Sequence, residues 1–170
     1  MAVHTHIDEI ISYKANVISA LANSPEVVAL MLDKPNPDVN GEDGDIARRD
    51  IYDYDYIDET QLEAGSYILV DCDIVGRPTS TVKDLEVYIQ VVVSKTIQKL
   101  DHKKFKGVMG NRCDNLARQI DLLLNGSRDY GIGRLTLVSV KSANVPASFT
   151  SKLLTYWIPD FARDRSIGIK

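Results

Sequence analysis

Residues 106–140 constrain the fold most, because their apolar pattern predicts a helix, a tight loop and a strand. In the helical part, apolar side chains recur with a period near 3.6 residues, as in a helix with one buried face. That stripe consists of Cys113, Leu116, Ala117, Ile120, Leu123 and Leu124. The opposite, solvent-facing side carries Asp114, Asn115, Arg118, Gln119 and Asp121. Asn125 and Gly126 predict the helix end, since both residue types accept a left-handed C-cap, and the strand follows at Arg134–Val140.

The other regular segments complete the predicted architecture. The predicted helices are His4–Ala22 and Pro25–Leu32, and the further strands are Ile51–Ile57, Ser66–Val75, Val82–Lys95 and Phe149–Ile158. Alternation of apolar and polar residues predicts that Ser66–Val75 and Val82–Lys95 pair as an antiparallel hairpin. Strands before and after a crossing helix predict an α+β fold. We expect a mostly antiparallel sheet of four to five strands, with the N-terminal helices and one central crossing helix packed on one face.

A chain of 170 residues is the size of one domain, so residues 1–170 are predicted to form a single unit. Two segments within it lack a regular pattern. Two prolines, two glycines and many acids in Asp33–Arg49 predict a loop, so that residues 33–60 form an acidic loop or arm. Residues 162–170 are predicted to form a polar C-terminal tail.

Composition narrows the classes of function. The net charge of -4 and the pI near 5.3 argue against a general nucleic-acid binder, whose surface is usually basic. Cys72 and Cys113 both fall on predicted apolar faces, which favours two reduced core cysteines over a disulfide. No apolar run approaches the roughly 20 residues that a membrane span needs. We therefore expect a protein of a reducing cytoplasm that does not engage a membrane.

Two patterns resemble ion-binding chemistry and are incomplete. Residues 36–41 place oxygen donors as in a calcium loop, but the twelfth position is Ala47 instead of glutamate. Asp71, Asp73 and Glu86 lie on neighbouring strands and offer a carboxylate cluster for a small metal-dependent nuclease. That site would also need a lysine two residues after Glu86, which the sequence lacks. The predictions are therefore no enzyme, no catalytic residues, no metal and no cofactor, with the nuclease kept as an alternative.

Interaction surfaces are the better-supported candidates. Tyrosine suits interfaces because its ring is buried well while its hydroxyl stays in contact with water. The alternating Tyr52, Tyr54 and Tyr56 form either such a surface or an edge strand partly covered by the protein itself. The predicted contact residues are Tyr52, Tyr54 and Tyr56, the hairpin tip Arg77, Pro78, Thr79 and Ser80, and the loop residues Lys103 and Lys104.

An ordered set of these motifs resembles the bacteriophage tail terminator family, also called tail completion or head–tail joining proteins. The set runs from SYILVDCDIV through YIQVVVSK, NRCDNL and IDLLLNG to GIGRL, and ends with LTYWIPDF, so that it covers about residues 64–161. The N-terminal helix fits the family more loosely.

The resemblance implies a virion protein of the tail or neck, assembled in the host cytoplasm. It implies a homo-oligomeric ring, expected to be a hexamer, that caps the tail tube, stops its elongation and joins it to the head connector. Its partners would be copies of itself, the tail tube protein and the connector, and no catalytic residues are implied. We further expect acidic residues facing the lumen to let DNA pass without specific binding. A neck or baseplate adaptor of the same particle is the alternative role.

Overall fold

The structure is a computed structural model that describes residues 6–54, 63–75, 84–130 and 133–158. In chain order the elements are α1 (His6–Ala22), α2 (Pro25–Leu32), α3 (Glu42–Arg49), β1 (Ile51–Tyr52), β2 (Ser66–Val75), β3 (Asp84–Ser94), a 3-10 turn (Lys95–Ile97), α4 (Arg112–Leu124), β4 (Thr136–Lys141) and β5 (Phe149–Ile158). The predicted α+β class, with N-terminal helices and a crossing helix between strands, is confirmed.

The strands form one five-stranded sheet in the order β1-β2-β3-β5-β4. The short β1 runs parallel to β2, and every other neighbouring pair is antiparallel. Strands β2 and β3 pair along their whole length, from Ser66 opposite Val93 to Val75 opposite Asp84, which confirms the predicted hairpin. In β4 the register shifts between Leu137 and Ser139. The two edges of the sheet are therefore β1, with the part of β2 beyond it, and β4.

One face of the sheet packs against the helices and forms the main core. Its members alternate along the strands, as period-2 patterning requires. They include Ile68, Val70 and Cys72 of β2, Leu85, Val87, Ile89 and Val91 of β3, and Leu154, Tyr156 and Ile158 of β5. From α4, the predicted stripe supplies Leu116, Ile120 and Leu124, each fully buried. Burying a side chain of this size stabilises the fold by about 1.5–3 kcal/mol.

The other face of the sheet carries a second, smaller cluster. It consists of Tyr67, Leu69, Val92 and Phe149, with Tyr52 and Val145 packed against it. Within the described residues, no helix contributes a side chain to this cluster. We call this side of the sheet the open face because the helices lie on the other side; its four cluster residues are nevertheless buried.

Local hydrogen bonds fix the ends of two helices. The Ser24 hydroxyl accepts from the Val27 amide at the start of α2, and the Asn111 side chain accepts from the Asp114 amide at the start of α4. Such N-caps satisfy amides that the first helical turn leaves free. Beyond α4, the positive φ of 81° belongs to Gly126, while Asn125 is extended. The predicted stop therefore depends on the glycine.

The prediction of a loop over Asp33–Arg49 is wrong for its second part, which is α3. This helix has no long apolar stripe and is held by tertiary contacts. The buried carboxylate of Asp43 accepts from the Lys34 ammonium at 2.5 Å and from the Asp38 amide at 2.7 Å. At Gly44 the backbone passes so close to Val39 that a Cβ would lie 2.0 Å from the Val39 carbonyl oxygen.

Two further predictions need correction. The strand predicted over residues 51–57 is limited to Ile51–Tyr52 in the described part, because residues 53 and 54 form a bend. Asn115, predicted on the solvent-facing side of α4, is buried, and its side-chain amide is satisfied by donating to the carbonyls of Met109 and Asn111, both at 2.8 Å. Residues 55–57 and the predicted tail 162–170 lie outside the described residues.

Among the described residues, no single helix has the length and apolar character of a membrane span, and only α1 and α2 taken together, bent by 73°, pass that test.

Candidate interaction surfaces

The predicted tyrosine surface lies at the β1 edge and on the open face. Tyr52 is half-buried, and its ring centroid lies 5.7 Å from that of Tyr54 and 6.4 Å from that of Tyr67. Tyr67 in turn meets Phe149 edge-on at 6.3 Å. Tyr54 is 53% exposed. Thus Tyr52 is anchored within the molecule, while about half of Tyr54 is exposed, and its role as a contact residue stays a prediction; Tyr56 lies outside the described residues.

Beside Tyr54, the open face forms a shallow depression of about 160 Å³, lined by Tyr54, Leu69, Val70, Asp71, Tyr88, Gln90 and Leu153. One acidic side chain, Asp71, lines it, and a second, Glu86, contacts the lining residue Tyr88. The Tyr88 hydroxyl donates a short hydrogen bond to Glu86, and this bond raises the pKa of Tyr88, so the phenol stays protonated. The Lys14 ammonium lies 3.4 Å from the Asp71 carboxylate and 2.7 Å from the Asp53 carbonyl oxygen. This surface combines aromatic rings with net negative charge.

The two predicted lysines lie elsewhere, with the helix layer. Lys103 is exposed, and its amide donates to the Asp101 carboxylate at 2.8 Å. The Lys104 ammonium lies 2.6 Å from the carboxylate of Asp33, the C-cap of α2. The structure therefore does not bring these lysines together with the tyrosines. Their role as contact residues stays a prediction, and Lys104 also serves the fold.

Asp33 connects Lys104 to a buried charge that the sequence analysis missed. Arg112, at the start of α4, is 3% exposed. Its guanidinium donates to the Leu30 carbonyl at 2.6 Å, to the Ile97 carbonyl at 2.8 Å and to Asp33 at 2.6 Å. These bonds join α2, the 3-10 turn and α4, so we assign Arg112 a structural role.

Comparison with known proteins connects this architecture to phage proteins. A sequence model of the family described as YomW matches residues 16–158. The chain belongs to the YomW family. YomW is a phage-type protein family. No curated protein matches the chain at a significant level.

The YomW-family chain also shares its fold with a chain from a solved structure described as "Virion of native gene transfer agent (GTA) particle". The match has a TM-score of 0.51 at 14% identity. It covers 92% of this chain and 98% of the other, so the likeness extends over the whole fold.

In this YomW-family chain, the carboxylates of the alternative nuclease hypothesis do share the open face. Asp73 and Glu86 are directly opposite across β2 and β3, and Asp71 is two residues along β2. Within the described residues, however, no group of three or more His, Cys, Asp or Glu side chains is placed to hold a metal ion. Lys14 and Tyr88 contact Asp71 and Glu86 respectively.

Both cysteines are buried and free, as predicted. Burial raises the pKa of the Cys72 thiol to about 12 and that of the Cys113 thiol to about 11. Since the thiolate is the reactive form, neither side chain is a nucleophile at neutral pH.

The hairpin-tip residues Arg77, Pro78, Thr79 and Ser80 lie outside the described residues. Strand β4 is a surface that was not predicted from the sequence: its Val138 and Val140 are 53% and 50% exposed. The alternation of residues in a short apolar strand does not show whether another strand pairs with its edge. Only the strand order of the folded sheet shows that β4 is an edge strand.

Proposed function

We propose that this YomW-family chain is a structural protein of a phage-like virion, and within the virion a tail terminator. As such it forms a homo-oligomeric ring that caps the tail tube, stops its elongation and joins it to the head connector. The observation that carries the proposal is the fold shared over 92% of this chain with a chain of a gene transfer agent virion. Membership of a phage-type family supports it independently.

The described surfaces are consistent with a protein that works by contact. The edge strand β4 is exposed at Val138 and Val140, and the aromatic rings of Tyr54 and Trp157 are partly exposed; sheet edges and aromatic side chains are common sites of protein association. A ring forms when one copy offers two different surfaces and the rotation between neighbours closes. The partners of the proposed ring are its own copies, the tail tube protein and the head connector. DNA passes through the lumen without specific binding, and the proposal involves no enzyme activity, no cofactor and no membrane.

Tail length in particles made without this chain tests the proposal. Without a terminator, tube subunits continue to add, so we expect tails of variable and excessive length and heads without tails, seen by negative-stain electron microscopy. Supplying the intact chain in trans is the control, and it should restore tails of uniform length. Tails of normal length in its absence would contradict the terminator role.

A neck adaptor is the second candidate, and the same micrographs distinguish it. Loss of an adaptor leaves tails at their normal length but unattached to heads. Probing purified particles for this chain tests the broader proposal: a chain absent from finished particles is not a virion component.

A further inference from the structure

The two edges of the sheet carry opposite charge. Residues 50–54 and 63–75, which include β1 and β2, contain five acidic residues and no lysine or arginine. Residues 130–158, which include β4 and β5, contain three basic residues and no aspartate or glutamate. Because β2 and β4 are separated by β3 and β5, the two charged regions lie on opposite sides of the sheet. The charge is thus polarised along the direction in which sheet strands are stacked.

Helix α1 adds exposed apolar side chains beside this acidic region. Ile7 and Ile11 are 61% and 58% exposed, and they share one stripe of α1 with Lys14, which reaches Asp71. Asp73 is exposed and has no ion-pair partner among the described residues. We call Ile7, Ile11, Asp53, Asp71 and Asp73 the acidic edge.

The β4 side of the sheet also exposes aliphatic side chains, here beside basic residues. Val138 and Val140 of β4 are about half exposed, and Leu122 of α4 is 65% exposed. Arg134 precedes β4 and Lys141 is its last residue; both are exposed and have no acidic partner within the described part of the chain. We call Leu122, Arg134, Val138, Val140 and Lys141 the basic edge.

We infer that the basic edge of one copy docks on the acidic edge of a second copy. Three features favour a second copy over another partner. Asp73 on one edge and Arg134 and Lys141 on the other carry opposite charges without ion-pair partners among the described residues. Both surfaces also expose aliphatic groups, and they lie on different sides of one molecule. Three strand spacings separate β2 from β4, about 14 Å, so one copy cannot bring its own two edges together. Contact between two identical edges is disfavoured, because it would bring like charges together.

Such a contact is heterologous, because two different surfaces meet, and each added copy leaves one free edge of each kind. Repetition gives a ring when the rotation closes. The inference rests on the proposed function only in taking this closed form as the biological one, and it adds which surfaces make the contact. We expect side chains to make the contact instead of backbone pairing between strands of two copies. At β4 the Leu137 amide already donates to Asn125 at 3.1 Å, and a bulge interrupts the strand.

Reversing one charge on each edge tests the contact. We expect purified protein to self-associate at low salt in sedimentation experiments, and Lys141→Glu or Asp73→Lys to weaken association about tenfold or more, because each brings like charges together. Mixing the two variants at equal concentration should restore association, since every junction is then complementary. Lys106→Glu is the matched control: it removes an exposed lysine outside both edges and should associate like the parent.

A pair of introduced cysteines tests the geometry without relying on charge. Under oxidation, the variant carrying both Ile11→Cys and Val138→Cys should form a ladder of cross-linked multimers on denaturing gels. Neither single variant should cross-link, because each edge meets the other kind. Native Cys72 and Cys113 are buried and do not interfere.

The outcomes separate this inference from the proposed function. A parent protein that stays monomeric at every concentration overturns the edge contact, as does a mixture of charge variants that fails to regain association. Cross-linking of a single-cysteine variant overturns the head-to-tail arrangement. None of these results alters tail length in particles lacking the chain, on which the terminator proposal depends.

Discussion

The guanidinium of Arg112 lies 2.6 Å from the carboxylate of Asp33, a residue 79 positions earlier in the chain. The backbone carbonyls of Leu30 and Ile97 accept hydrogen bonds from two other nitrogens of the same guanidinium. The buried guanidinium is tolerated because its hydrogen bonds within the protein replace those that it would make with water. The contact also fixes how the end of α2 meets the start of α4, on the side of the sheet that forms the main core.

Replacing Arg112 should therefore lower the free energy of unfolding more than replacing an exposed arginine does. We expect Arg112→Met to lower the free energy of unfolding by about 2–4 kcal/mol, because it leaves the Leu30 and Ile97 carbonyls without donors. Arg118→Met, an exposed position on the same helix, is the matched control and should change stability by less than about 0.5 kcal/mol. Urea denaturation measures both, and equal effects would contradict the structural role of Arg112.

The Asp33 carboxylate gives this contact a pH dependence. Burial alone raises the pKa of Asp33, but hydrogen bonds and charges from Arg112 and Lys104 outweigh it and hold the pKa below its ordinary value. A carboxyl with a lowered folded-state pKa stabilises the fold fully above its unfolded-state pKa, about 3.9, and loses that contribution as the pH falls through the folded value.

We expect the parent to be more stable than Asp33→Asn at pH 7, and the difference to shrink below about pH 4. Asparagine suits this control because it tolerates the left-handed backbone that Asp33 adopts, with φ of 56°. The free energies of unfolding of both proteins, measured from pH 7 to pH 3, check the prediction. The other acids titrate in both proteins and cancel in the difference, so a constant gap would count against it.

Most of the fold follows from local pattern. Alternation along β2 and β3 predicted their pairing and their inward faces, because a period of two leaves one register that buries all the apolar residues. The remaining features depend on contacts between residues far apart in the sequence. Arg112 reads as a surface residue until Leu30 and Asp33 are placed beside it, and α3 lacks the apolar stripe that predicts a helix. The tyrosines were identified as a candidate surface, whereas the sheet edges required the strand order.

The two cysteines provide a simple test of the core. With thiol pKa values raised to about 12 for Cys72 and about 11 for Cys113, neither forms the reactive thiolate at neutral pH. We expect an aromatic disulfide reagent to label no thiol in the folded protein within the time that it labels both in denaturant. The denatured sample is the control for reagent activity. Fast labelling without denaturant would show that one of the cysteines is not in the core.

The cluster on the open face should contribute to stability although it lies outside the main core. Phe149 is 5% exposed and meets Tyr67 edge-on, so Phe149→Ala should cost about 3 kcal/mol or slightly more. Trp157, 37% exposed on the neighbouring part of the same strand, is the control. Trp157→Ala should cost clearly less, because its ring remains partly in water. A reversal of this order in thermal or urea unfolding would mean that Phe149 is not packed as described.

The close approach at Gly44 tests the position of α3, the helix that the sequence analysis missed. A Cβ at Gly44 would lie 2.0 Å from the Val39 carbonyl oxygen, and because that atom is backbone, the loop before α3 must shift to admit it. Gly44→Ala should therefore destabilise the protein by about 1–3 kcal/mol, although alanine favours a helix over glycine by about 1 kcal/mol. The control is Glu42→Ala, an exposed position at the start of the same helix, which should change stability little. If Gly44→Ala instead raised the free energy of unfolding, helix propensity alone would govern this position, and the 34–41 segment would not be packed against α3.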